Sequence, residues 1–243
     1  MYQRTTDSPV QGLSAFADLL GAADLVVFDF DGVIADSEVI SLKTLHEALT
    51  DFGVELTPEE TRTRFLGTSL ETIKAYVSRQ TGKEAQSFAQ HWEDALFARF
   101  EAELIPVPHV FDLIDRLDRS QTRYCIASSG TFTRIETALR AMGVKDRFDH
   151  VFSAEQVARG KPAPDLFELA GTRLGVDPKA CLVIEDSPHG VRAAVAAKMR
   201  AVGFSGGQHL TDLQAEHGAA LMAAGAEMIL PSFEGIAEWT IEG

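Results

Sequence analysis

Short apolar runs that end in acidic or hydroxyl residues and then give way to a helical pattern recur along this chain, and that recurrence restricts the fold more than any other feature. Leu25-Val26-Val27-Phe28 is uninterruptedly apolar before Asp-Phe-Asp-Gly, as a strand buried on both faces of a parallel sheet requires. The alternation resumes after Pro106 and Pro108: a helix over 109–117, a strand over 124–127, a helix over 132–142 and a strand at Val151-Phe152. A helix over 165–174 leads to a strand over 181–184, and a helix over 190–199 leads to a strand over 200–203. Strand and helix in repeated succession define an α/β fold: a doubly wound, Rossmann-like parallel sheet with right-handed crossovers.

Between 37 and 105 the period changes. Leu42, Leu45 and Leu49, and later Phe88, Trp92, Leu96, Phe97 and Phe100, follow helical spacing, with turn signals at Gly53, Pro58, Gly67 and Gly82. This stretch is expected to be an α-helical cap (37–105) inserted into a core formed by 24–36 and 106–243. Residues 1–23 are expected to be an N-terminal extension with one short helical possibility over 13–20. A chain of 243 residues, 45% hydrophobic, can bury such a core. No apolar run approaches the roughly 20 residues that cross a bilayer, and the polar first twelve residues lack a secretion signal, so a cytoplasmic protein is expected. A net charge of −14 speaks against nucleic acid and against anionic membrane surfaces. A small anionic ligand would then need a local cation. Cys125 and Cys181 sit in apolar strands and read as buried, reduced thiols.

Four stretches at the expected strand ends carry the chemistry. In Asp29-Phe30-Asp31-Gly32, alternate positions share a side, so both carboxylates can face one ligand while Gly32 permits a sharp exit. One carboxylate can act as a nucleophile and the other as acid and then base, and the pair invites Mg2+; an acidic pair before glycine also makes an ordinary turn. Ile126-Ala127-Ser128-Ser129-Gly130-Thr131 joins a strand to a helix start, where free N–H groups, the helix dipole and the Ser128 hydroxyl can cradle phosphate. Plain capping uses the same residue types. In Gly160-Lys161-Pro162-Ala163-Pro164-Asp165, the prolines hold the backbone extended and aim Lys161, whose ammonium can neutralise phosphate charge. A surface lysine in a rigid loop is the alternative. Leu182-Val183-Ile184-Glu185-Asp186-Ser187-Pro188 ends another apolar strand. Asp186 would be a second carboxylate for Mg2+, which takes few from protein, and Glu185 could orient metal waters. Ser187-Pro188 also reads as a helix cap.

All four stretches fall at the carboxyl ends of strands, where doubly wound sheets bind ligands. In set and order they resemble the haloacid dehalogenase superfamily, in particular its β-phosphoglucomutase-like branch with a helical cap after strand one, from Asp24 to about Ile236. The resemblance implies Asp29 as the nucleophile of an aspartyl-phosphate intermediate and Asp31 as acid/base with its carbonyl on Mg2+. It implies Ser128, Ser129, Gly130 and Lys161 around the phosphoryl group, and Asp186 with Glu185 completing the metal site. The implied activity is a Mg2+-dependent phosphatase for a small phosphorylated metabolite, a sugar phosphate by resemblance alone, acting as a monomer or weak homo-oligomer. That family's strand order puts Asp29's strand between those of Cys125 and Cys181, so the thiols should not pair.

Three other readings compete. Family dehalogenases lack the second acid that Asp31 provides. The histidine of mutase-like members falls at Ser41 and their cap arginine near Leu70, although His46 or Arg64 could substitute. A catalytically silent metal-binding module is opposed by the full acidic and Lys set. In the cap, Phe65-Leu66-Gly67-Thr68-Ser69 could overhang the site. Arg64, Gly67, Thr68 and Ser69 are then substrate contacts, or else ordinary helix punctuation.

Overall fold

The computed structural model describes residues 9–68 and 70–238. Along the chain, helix α1 (Pro9–Gly21) precedes strand β1 (Leu25–Phe28), and four helices follow: α2 (Glu38–Asp51), α3 (Pro58–Phe65), α4 (Leu70–Thr81) and α5 (Ala85–Glu103). Then come α6 (Val110–Ser120), β2 (Arg123–Ser128), α7 (Phe132–Ala141), β3 (Val151–Ser153), α8 (Asp165–Leu174), β4 (Cys181–Glu185), α9 (Pro188–Ala196), β5 (Arg200–Phe204), α10 (Gln214–Ala224) and β6 (Met228–Leu230). The strands form one parallel sheet in the order β3-β2-β1-β4-β5-β6, the doubly wound α/β architecture expected from the alternation.

The apolar run of β1 divides between the two faces of the sheet, as the pleat requires. Val26 and Phe28 join a cluster with Phe16 of α1 and Ile114 of α6, while Leu25 and Val27 join Leu166 of α8 and Val191 of α9. With helices on both faces, β1 has no room for a polar position until it ends at Asp29. Cys125 and Cys181 flank β1, opposite Val27 and Leu25; both are buried and free. No helix among the described residues is long and apolar enough to cross a membrane.

Two features of the core were not legible. Helix α10 and strand β6 complete the sheet, but β6 is three residues long and only Leu230 is buried, too little for a period to register. Residues 9–21, read as extension apart from 13–20, are one continuous helix whose Phe16, Leu19 and Leu20 are buried in the main cluster. Phe16→Ala is therefore expected to cost about 3–5 kcal/mol by leaving a cavity. Urea unfolding should show it as a lower midpoint with an unchanged slope; an unshifted midpoint would mean that α1 contributes nothing to the core.

Helices α2 to α5 pack on one another, and their Leu49, Phe65, Val77, Phe88 and Phe100 belong to the same apolar cluster as Val26 and Phe28. Thr57 starts α3 with a capping box: its hydroxyl accepts from Glu60 N, and Glu60 accepts from Thr57 N. Helix α5 lies against α7, and α2 lies against the turn at 208–210, so the contact between the two layers runs through both.

Candidate active site

Strands β1, β2 and β4 end level, because Phe28 pairs with Ile126 on one side and Ile184 on the other. Asp29, Ser128, Glu185 and Asp186 therefore emerge together at the carboxyl edge, where the chain winds away from β1 in both directions. Lys161, from the loop between β3 and α8, completes the group. Its Nζ donates to Asp29 Oδ1 at 2.6 Å, Glu185 Oε1 at 2.7 Å and Ala127 O at 3.0 Å. The loop is a turn rather than extended chain: Ala163 N donates to Gly160 O at 3.0 Å, and the Lys161-Pro162 peptide is cis.

Two glycines make space for the acids. A Cβ at Gly190, in the first turn of α9, would stand 1.6 Å from Glu185 Oε1. A Cβ at Gly32 would stand 2.0 Å from Asp186 Oδ2, and its φ of +80° suits only glycine. Glu185 can thus be wholly buried, its second oxygen accepting from Ser187 N at 2.7 Å and Ser187 Oγ at 3.0 Å. Ser187 also caps α9 through Gly190 N, which starts that helix two residues ahead of the expected position.

Asp29, Glu185 and Asp186 each offer a buried oxygen, and these atoms lie within 4.8 Å of one another. Burial, then Glu185, raises the Asp29 carboxyl to about 7, although Lys161 opposes the rise. Burial, then Asp29 and Glu185, raises Asp186 well above the ordinary range. Burial alone would lower Lys161, but Asp29 and Glu185 outweigh it and hold the ammonium above its usual value. One ammonium cannot balance three buried carboxylates. An all-oxygen donor set short of positive charge fits a hard divalent cation such as Mg2+.

The Asp31 carboxylate is hydrogen-bonded outside this cluster. Its Oδ1 accepts from Ser37 Oγ at 2.5 Å and Arg134 Nη2 at 2.8 Å. Burial pushes Asp31 up, but Arg134 and Ser37 outweigh it and hold the group below the usual carboxylate range. Beside it, burial and then Asp31 raise Glu38 to about 7. Ser128 is buried and accepts from Gly130 N at 3.0 Å, Gly130 O accepts from Ser153 Oγ at 2.6 Å, and Ser129 is exposed. Thr131 caps α7.

Of the cap residues singled out in the sequence, Arg64 and Thr68 make contacts within the cap. Arg64 is exposed, stacks over Tyr76 at 5.0 Å and lines an outer cleft with Thr57, Glu59, Glu60 and Thr63. Gly67 has open space around it, and the Thr68 hydroxyl donates to Phe65 O. Among the described residues, none of the three hydrogen-bonds to the core; Ser69 lies outside the described residues. Arg62 crosses instead, donating to His209 O at 2.6 Å. Gln208 N donates to Asp36 Oδ1 at 3.2 Å, and His209 Nε2 lies 3.4 Å from Asp186 Oδ2. Burial, then His217 and Arg62, lowers His209 to about 4, so near neutral pH this contact is not an ion pair.

Arg134 and Arg62 escaped the sequence reading. A signal existed for Arg134 alone: a cation in the first turn of α7 opposes the helix dipole, a local misfit of the kind functional sites show.

The comparisons agree with this geometry. Residues 26–204 match the haloacid dehalogenase-like hydrolase family. The chain is 30% identical over 189 residues to 6-phosphogluconate phosphatase of Escherichia coli, covering 76% of this chain and 84% of the relative. It is 31% identical over 190 residues to the chloroplastic protein Suppressor of Quenching 1 of Arabidopsis thaliana, covering 75% of this chain but only 18% of that longer protein. Among solved structures, a haloacid dehalogenase-like protein of Agrobacterium tumefaciens superposes with a TM-score of 0.73 at 32% identity, covering 89% of this chain and 96% of the other. A putative β-phosphoglucomutase of Thermotoga maritima superposes at 0.72 with 25% identity, covering 88% and 96%. A family match across most of the chain and a sheet edge built of these four loops lead to one conclusion: the protein belongs to the haloacid dehalogenase-like hydrolases.

Proposed function

We propose that the protein is a Mg2+-dependent phosphatase that hydrolyses a small phosphorylated metabolite, of the sugar phosphate class, through an aspartyl-phosphate on Asp29. The observation that carries this reading is Lys161 Nζ lying 2.6 Å from Asp29 and 2.7 Å from Glu185, with Asp186 beside them at the switch point of the sheet. A nucleophile, a fixed cation and a divalent-ion site at one point are what phosphoryl transfer needs, because its catalysis is mostly positioning and charge stabilisation.

In this reading an oxygen of Asp29 attacks phosphorus in line, and the bond from phosphorus to the leaving oxygen breaks. Asp31 donates its proton to that oxygen, which requires Asp31 to part from Arg134 when substrate binds. Its carboxylate then takes a proton from a water molecule, which attacks the acyl phosphate and frees Asp29. Lys161 and the backbone N–H groups near Ser128, Ser129 and Gly130 hold the phosphoryl oxygens. Mg2+, held by Asp29, Asp186 and the Asp31 carbonyl with Glu185 behind them, would supply further charge neutralisation. The α2–α5 layer covers the site from water.

A mutase must hold a second phosphate in the cap. His46, one possible substitute for the missing groups, lies 3.4 Å from Thr61 Oγ1, and Arg64 stacks on Tyr76, so both are otherwise engaged. The phosphatase reading is preferred.

With p-nitrophenyl phosphate, inorganic phosphate should appear only when Mg2+ is present, and EDTA should stop it. A protein that releases none with Mg2+ between about pH 5 and 9 is not a phosphatase. Protons should also compete with the metal. The raised Asp29 and Asp186 are protonated at low pH; their ionised forms burden the metal-free fold as pH rises from the unfolded value towards the folded one, about 7 for Asp29. Mg2+ should therefore raise Tm more at pH 8 than at pH 5. An equal shift at both pH values would locate the ion elsewhere.

A further inference from the structure

We propose that Arg134 recognises a second acidic group, a carboxylate or phosphate, on the leaving portion of the substrate. The inference rests on the phosphatase reading and adds the substrate class. Arg134 belongs to a core helix, yet its guanidinium reaches across the seam to the cap. Nη2 donates to Asp31 Oδ1 at 2.8 Å and to Ser41 Oγ of α2 at 2.9 Å, and the group lies 5.3 Å from the Phe100 ring of α5. Asp31 donates its proton to the leaving oxygen after it has parted from Arg134, so the departing group enters next to this guanidinium and its acidic group takes over the contact that Asp31 gives up.

Three physical points favour an anionic partner from outside the chain. The first is location: the side chain is 16% exposed and stands in the first turn of α7, where the helix dipole disfavours a cation. Its charge serves no purpose within that helix. The second is valence. Among the described residues only Nη2 has hydrogen-bond partners, which leaves the N–H groups of Nε and Nη1 for an outside acceptor, and once Asp31 parts from Nη2 a two-pronged face of the guanidinium opens that suits carboxylate or phosphate. The third is charge. Glu38 and Glu93 act on the same guanidinium in a protein of net charge −14, so an acidic leaving group would be repelled without it. The cation at this seam is supplied from the core, where Arg134 reaches Ser41 of α2.

The test compares kcat/KM within matched pairs. 6-Phosphogluconate against sorbitol 6-phosphate differs by a carboxylate, and ribulose 1,5-bisphosphate against ribulose 5-phosphate by a phosphate. The wild type should favour the acidic member of at least one pair by about 10- to 100-fold, and the pair that discriminates identifies the group. Arg134→Gln should bring that ratio close to one, mainly through KM, and Arg134→Lys should restore part of it. A purely structural arginine would weaken both members equally. A wild-type ratio near one in both pairs overturns the proposal even if the variants fail to fold, as does a ratio unmoved in a folded Arg134→Gln protein. Either result leaves the phosphatase reading intact provided p-nitrophenyl phosphate is hydrolysed; hydrolysis of that compound but of none of the four sugar compounds overturns the proposal alone, and release from none of the five removes both.

Discussion

Replacing Asp29 with asparagine should lower turnover by about 10^4-fold or more while leaving the protein folded, since the amide keeps the shape of the side chain but cannot attack phosphorus. The stability consequence separates loss of chemistry from loss of structure. Asp29 is buried beside Glu185 and its carboxyl is raised to about 7, so its ionised form is a burden above that pH. Asparagine lifts the burden, although Lys161 keeps only Glu185 as an anionic partner. Without metal, the variant's Tm at pH 8 should therefore equal or exceed that of the wild type, a trade of stability for function common at active sites. Near-normal turnover would show that another group is the nucleophile. A large fall in Tm at pH 8 would show that the native carboxylate holds the fold together.

Lys161→Met should be harmful in both respects. The ammonium is 4% exposed and serves two carboxylates, one of them, Glu185, without any exposure. Methionine fills the volume beside Phe167, but leaves Asp29 and Glu185 without their counter-ion. Breaking a buried pair from one side typically costs about 3–5 kcal/mol, and losing a preorganised cation at the phosphoryl group should cost about 10^3-fold in kcat. The pH dependence identifies the cause. Burial and the neighbouring Glu185 already raise the Asp29 carboxyl to about 7, and without Lys161 the opposing effect of its ammonium is lost, so the folded state binds more protons than the unfolded one as pH rises past about 4. The deficit should be greatest at pH 8 and shrink towards pH 4–5. Urea midpoints at the two ends of that range test this; an equal deficit at both would mean lost packing.

Much of the architecture was legible because its signals are local. A strand buried on both faces must be apolar throughout, so 25–28, 124–127 and 181–184 could be read directly, and the ends of α8 coincide with the expected 165–174. Local reading failed where packing overrides the pattern. The three residues of β6 are a strand because β5 offers an edge to pair with. Residues 9–21 are core because Phe16 finds space against the sheet. The extended backbone expected around Lys161 is a turn, since proline restricts φ without dictating the next residue's direction.

From neighbouring residues alone came the sequence of strands and helices, and the four loops whose acids, hydroxyls and lysine point to phosphate chemistry. The tertiary structure decided which of them meet, and what stands over them. It turned Asp31 towards Arg134, 103 residues away, and set Arg62 rather than Arg64 across the seam, on a carbonyl 147 residues along the chain. Those pairings depend on strand order and on the seating of α5 against α7, both driven by apolar surface that distant segments bury together. Such burial is not directional in sequence, so it leaves no mark beside the residues it brings into contact.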